Sequence, residues 1–188
     1  VRRAFALAAL LGLTACATTK TPVRPANFPY TAGPGIEAAL IAPAKISLHG
    51  TMYVQVSPEV VEHHVKTMAD SFGAKLKAEL PAEMATAGYA LSIRNKNAAG
   101  NAAGANTLLV ISPRRAEFTC QRLYFQNTCK IGLVVHLKML DAPRRKTVWE
   151  HDYVLTGDSS GDYDIDIAAF WNNLYQAMQK AGLAKAGA

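Results

Sequence analysis

Two runs of alternating apolar and polar residues flank a short turn, and they constrain the fold more than any other feature of the chain. Between Ile131 and Leu140, the residues Leu133, Val135, Leu137 and Met139 occupy every second position. Between Thr147 and Thr156, Trp149, His151, Tyr153 and Leu155 do the same. A period of two puts each set on one face of a strand. The intervening Ala142-Pro143-Arg144-Arg145 has turn chemistry, so the segment predicts a β-hairpin with one face to bury. An isolated hairpin is marginal in water, so further elements must cover that face.

Two helices are available for this. Ser57-Pro58-Glu59 reads as a helix start, with Ser57 as N-cap, Pro58 in the first turn and an acid beside it. Val61, Val65, Met68, Phe72, Leu76 and Leu80 follow at spacings of three and four, one apolar stripe. Pro81 is expected to kink this helix or restart a turn, and Gly88 to stop it. Near the other end, Asp164 or Asp166 caps a helix carrying Ile167, Phe170, Trp171, Leu174 and Met178 on one side. Further strands are expected over Ile46–Val56, Tyr89–Asn95 and Thr107–Thr119, the last bent near Pro113, with a small-residue loop over 96–105. The order predicts an α+β fold, with two helices packed on one face of a mostly antiparallel twisted sheet of four to five strands.

The first sixteen residues follow a different logic. Arg2 and Arg3 precede an apolar run from Ala4 to Leu13, shorter than the ~20 residues a permanent membrane helix needs. The run ends in Leu13-Thr14-Ala15-Cys16. That tetrapeptide resembles the bacterial lipobox, and residues 1–16 as a whole resemble the export signal of a bacterial lipoprotein precursor. The resemblance implies removal of residues 1–15, two acyl chains (palmitate among them) on the Cys16 thiol, and a third on its amine. At roughly 0.8 kcal/mol per buried CH₂, several chains make a stable anchor. Ala17, where an Asp would favour inner-membrane retention, implies an outer-membrane lipoprotein facing the periplasm.

Residues 16–35 form the lipidated cysteine and a tether in which Pro22, Pro25, Pro29 and Pro34 alternate with small polar residues. Such a segment extends by about 3.1 Å per residue, so it reaches up to ~60 Å. Phe28 and Tyr30 either pack onto the domain or lie at the headgroup level. Residues 36–188 are expected to form the single folded domain. The formal charge of +6 includes Arg2 and Arg3 of the export signal. It is therefore not a nucleic-acid footprint, and the compartment holds little nucleic acid.

An oxidising compartment also decides the reading of Cys120 and Cys129. They are the cysteines left outside the lipobox, and they flank Gln121–Thr128 between two expected strands. The expected outcome is a structural disulfide at the base of a hairpin loop. A redox pair would favour Cys-x-x-Cys spacing, and thiolate metal ligands would need nearby partners.

Other candidates weigh toward structure. Adjacent His63 and His64 project about 100° apart on a helix and lack the i, i+4 spacing of a zinc helix. Gly157-Asp158-Ser159-Ser160-Gly161-Asp162 has neither the spacing of a calcium loop nor the partners of a serine nucleophile, and reads as a turn. Trp149, Tyr153, Phe170 and Trp171 sit at core spacings. The exception is basic. Arg114 and Arg115, with Arg122 and Lys130, would form a contact surface with Arg144, Arg145 and Lys146 if strand pairing joins them.

Lipobox, Pro-rich tether and a small α+β sandwich together resemble, in architecture, the auxiliary envelope lipoproteins of lipopolysaccharide-assembly and ABC-transport systems. The resemblance implies a non-enzymatic binding or scaffold component with an envelope protein partner, and anionic lipid or lipopolysaccharide as a further contact. No cofactor and no metal are expected. A lipid-anchored periplasmic hydrolase and a peptidoglycan-associated structural lipoprotein are the alternatives. No nucleophile elbow, Ser-x-x-Lys or metal-ligand helix is legible for the former.

Overall fold

The computed structural model describes residues 32, 35–40, 46–52, 56–94, 106–123, 126–161 and 163–184. The elements run β1 (Gly35–Leu40), β2 (Ser47–Met52), α1 (Pro58–Thr86), β3 (Ala90–Arg94), β4 (Thr107–Leu123), β5 (Gln126–Asp141), β6 (Lys146–Asp158), β7 (Tyr163–Asp164) and α2 (Ile167–Lys180). The class is α+β, with two helices against a sheet as the sequence predicts. Among the described residues the sheet has seven strands, more than the four to five expected. Its order is β3-β1-β4-β5-β6-β7, and β2 also pairs with β4.

The antiparallel part is the meander β4-β5-β6-β7. The rest is parallel: β1 lies against Thr107–Ile111 of β4, and β2 lies further along the same edge, against Arg115–Cys120. β3 pairs with β1, also in parallel. No helix among the described residues is long and apolar enough to cross a membrane.

The alternation decides which face is buried. Ile131, Leu133, Val135, Leu137 and Met139 of β5 are all at most 2% exposed and face the helices. β4 reaches the same face by a change of parity. Leu109 and Ile111 are buried at odd positions and Ala116 and Cys120 at even ones, because the register shifts between Pro113 and Arg115. An extra residue in one strand does this, and Pro113, which has no N–H to give a ladder, marks the spot. A second shift beside Val148 lets both Val148 and Trp149 be buried in β6.

Both helices lie on that face through the stripes read from the sequence. Val61, Val65, Met68, Phe72, Leu76 and Leu80 are buried in α1, and Ile167, Phe170, Trp171, Leu174 and Met178 in α2. Phe170 meets Phe72 edge-on at 5.4 Å and Tyr153 at 5.0 Å. α1 continues past Pro81 to Thr86, and Gly88 (φ 77°) turns the chain out of it. Only Gly tolerates that conformation cheaply. Ser57 stands at the N-cap but does not cap through its side chain; its hydroxyl donates to the Glu59 carboxylate, which lowers the acid's pKa. Asp166, one of the two expected caps, is the cap of α2, accepting from the Ala169 amide at 2.9 Å.

Strand direction gives the molecule two distinct ends. Thr107, Asp141 and Lys146 align at one, together with the starts of β1 and β3 and the last turns of both helices. There the Ala32 amide donates to the Leu183 carbonyl at 2.8 Å, so Ala32 joins the domain beside the end of α2. The opposite end holds Cys120, Cys129, the turn after β6 and the first turns of both helices.

Candidate functional site

The sheet face turned away from the helices carries an open groove of about 810 Å³ near the cysteine end. Strand register explains its lining. His49, Glu117, Gly132, Thr156 and Asp164 form one row across β2, β4, β5, β6 and β7. Thr51, Thr119, Lys130 and Asp158 form the next row. At ~4.8 Å between strands the groove crosses roughly 19 Å of sheet.

Gly132 leaves the floor open. A β-carbon there would meet Val154 Cγ1 at 3.4 Å and the Glu117 carbonyl at 3.8 Å, so a methyl fits and a longer side chain would enter the groove. The walls alternate hydroxyls, carboxylates, one ammonium and one imidazole. Glu117 pairs with Arg115 at 3.3 Å, with both side chains exposed, a contact that contributes little to stability. Asp158 is fixed more firmly: its carboxylate accepts from the Ser160 amide at 2.8 Å and from the Ser160 hydroxyl, and Gly161 (φ 91°) closes the turn. Gly157 and Asp158 end β6, and Ser159–Gly161 form the turn read from the sequence. Such a lining offers donors and acceptors to a polar ligand.

Further along the same face, His136 Nδ1 lies 2.7 Å from Asp152 Oδ1, and its Nε2 lies 3.9 Å from Glu150, which also pairs with Lys138 at 3.3 Å. His136 is 9% exposed. Ser112 stands opposite it on β4, but His136 Nε2 has no hydrogen-bond partner, so no Ser–His bond completes the row. A nucleophile activated by a base needs that bond.

The basic residues fall into separate groups. Arg144, Arg145 and Lys146 are exposed in the β5–β6 turn, whereas Arg114 and Arg115 are exposed at the β4 irregularity. Thr107 stands opposite Asp141 at the turn end, and Arg114 lies about seven residues further along β4, roughly 23 Å at ~3.3 Å per residue. The register does not bring them into one surface. Nor is Arg144 a free contact residue. Its guanidinium lies 2.7 Å from Asp141, whose side chain is 4% exposed, and its amide also donates to that carboxylate. Arg122 and Lys130 lie near the cysteine end, Lys130 in the groove.

Cys120 and Cys129 face each other across β4 and β5 and form a disulfide, both buried. Ser159 flanks it from the turn after β6: its amide donates to the Cys129 carbonyl, and its hydroxyl accepts from the Cys129 amide. His63 is exposed, and His64 Nδ1 lies 3.2 Å from the Tyr163 hydroxyl. No group of three or more His, Cys, Asp or Glu suited to a metal occurs among the described residues. Cys16, the tether apart from Ala32 and Gly35, Phe28, Tyr30 and the loop expected over 96–105 lie outside the described residues.

Sequence reading missed the groove and the His136–Asp152 pair. The outward positions of β5 and β6 carried the signal, but only the true register assigns their partners.

No family model matches the chain, and no curated protein matches it. Solved structures do resemble it. A PelC dodecamer from Paraburkholderia phytofirmans is 12% identical, with 90% of this chain and 99% of that one covered and a TM-score of 0.40. Lipoprotein GNA1162 from Neisseria meningitidis is 10% identical, with 77% and 98% covered and a TM-score of 0.37. Protein XCC0632 from Xanthomonas campestris is 15% identical, with 85% and 87% covered and a TM-score of 0.38.

Proposed function

We propose that this chain is a membrane-anchored, non-enzymatic binding or scaffold component of a bacterial envelope assembly or transport system. In this reading acyl chains on Cys16 hold it in the outer membrane, and the groove around Gly132 receives a polar segment of an envelope protein. The observation that carries the anchor is the coincidence of Arg2-Arg3, the apolar run and Leu13-Thr14-Ala15-Cys16 in order and spacing. The groove supports the binding role because it is open, spread over five strands of the sheet, and sets charged and hydroxyl side chains around a lining that also includes Phe118 and Ile131. Sites built on strands hold their geometry better than sites on loops.

In-cell photocrosslinking tests the reading. A crosslinkable residue at Thr156, exposed at the groove, should capture one dominant envelope protein. The same residue at exposed Glu62 on α1 should not, and Gly132→Gln should reduce the capture at least several-fold. Equal capture from both positions, or recovery with the cell wall alone, would overturn it.

A further inference from the structure

The end of the domain where the tether enters is also an exposed cationic end. Ile36 of β1 stands opposite Thr107, Thr107 opposite Asp141, and Asp141 opposite Lys146. Three strand spacings of ~4.8 Å separate Ile36 from Lys146, roughly 14 Å in all. The Ala32–Leu183 bond fixes the preceding residue at this end. Arg145 and Lys146 are exposed in the turn there, Arg144 is largely exposed despite its bond to Asp141, and Lys180 is exposed in the last turn of α2. Against them stand the buried Asp141 and the partly exposed Glu83 near the end of α1.

The opposite end also carries the bases Arg122 and Lys130, but acids outnumber them there. Glu59, Glu62, Asp164 and Asp166 are exposed around the first turns of the helices. Acids favour helix starts and bases favour helix ends. Glu59 in the first turn of α1, Asp166 at the cap of α2 and Lys180 in its last turn follow that preference, and because the helices run the same way these charges add along the molecule.

We infer that the β5–β6 turn, through Arg145 and Lys146 with Arg144 and Lys180 beside them, seats the domain on the anionic phospholipid surface that anchors it. This rests on the anchoring reading above and adds an orientation to it. An acyl anchor by itself holds the chain at the membrane without setting which end of the domain faces it. Basic side chains near a negatively charged leaflet are attracted within a Debye length, so the turn end faces the lipid and the acidic end turns away. Gly132 lies about nine residues along β5 from Asp141, roughly 30 Å at ~3.3 Å per residue, so the groove is presented away from the membrane.

The test uses the full acylated chain in vesicles of phosphatidylcholine with or without phosphatidylglycerol. A fluorophore is placed on Pro143→Cys in the turn or on Ser160→Cys at the far end, and quenched by nitroxide-labelled lipid. On phosphatidylglycerol vesicles the turn label should be quenched several-fold more than the far label. High salt, or Arg145→Glu with Lys146→Glu, should remove the difference. Arg144 is kept because Asp141 depends on it. Equal quenching of both labels, or a difference insensitive to salt and to charge reversal, overturns the inference while leaving the anchor standing. Failure to float with vesicles of any composition overturns the anchoring reading and this inference with it.

Discussion

Arg144 reaches back three residues to the buried carboxylate of Asp141, 2.7 Å away, and its own amide donates to the same group. The turn is thus held by one of the charges that makes it look like a contact surface. Its neighbour Arg145 carries strain instead, with φ at 50°. Arg144→Ala should cost about 1–3 kcal/mol, the range for a buried polar group stripped of a partner. Arg145→Gly should leave stability within about 0.5 kcal/mol or raise it, since Gly accepts the left-handed region freely. Urea denaturation of the two variants separates them; equal losses would show that the Asp141 contact is not what holds the turn.

The proposed anchoring rests on Cys16. Cys16→Ala should abolish incorporation of labelled palmitate and leave an uncleaved precursor or a soluble periplasmic form. A variant that still takes up the label and fractionates like the parent would remove the anchor.

The Cys120–Cys129 bridge closes a loop of about ten residues, for which chain-entropy reasoning gives roughly 2.5–3 kcal/mol. The Cys120→Ser/Cys129→Ser double variant should fold and melt lower by about that free energy, because the rest of the core is untouched. Mass spectrometry without reductant should find the two peptides linked in exported material. Free thiols at both positions would contradict the structure.

His151 supplies a pH dependence. Burial pushes its pKa below the ordinary 6.5, and the nearby Asp152 only partly opposes this. The unfolded chain then binds a proton more readily than the folded one. The neutral form's contribution is fully present above about 6.5 and is lost as pH falls from there through the folded value. The melting temperature should drop over that interval, and His151→Gln should make the drop shallower. An unchanged slope would mean that His151 is not the group responsible.

The meander and both helices were legible because their patterns are local. Alternation fixed the buried face of β5, and spacings of three and four fixed the stripes of α1 and α2. β1 was not legible. Gly35–Leu40 is short and rich in small residues, and it is held by parallel partners on β3 and β4 far away in sequence. The two-residue β7 was below the reach of any pattern.

The outward face failed for a different reason. Counting back from the turn pairs Asp141 with Lys146 and Leu140 with Thr147, which would set His136 opposite His151. The extra residue Val148 shifts everything beyond it, and His136 faces Asp152 instead. Local chemistry did not announce that bulge, whereas Pro113 did announce the one in β4. The joint basic surface failed on distance, which residue types do not encode.

The shared edge of β4 sets an order on assembly. β1 and β2 come early in the chain, yet their partner strand begins only at Thr107, after the whole of α1 and β3. Until that part of the chain is available, these strands cannot find their mates. Loop closure over such separations is slow compared with pairing β4 to β5 and β5 to β6, which are neighbours in sequence. The C-terminal meander is therefore expected to form first, with β1 and β2 zipped in last. Until β4 has paired with β5, the two early strands have no edge to join.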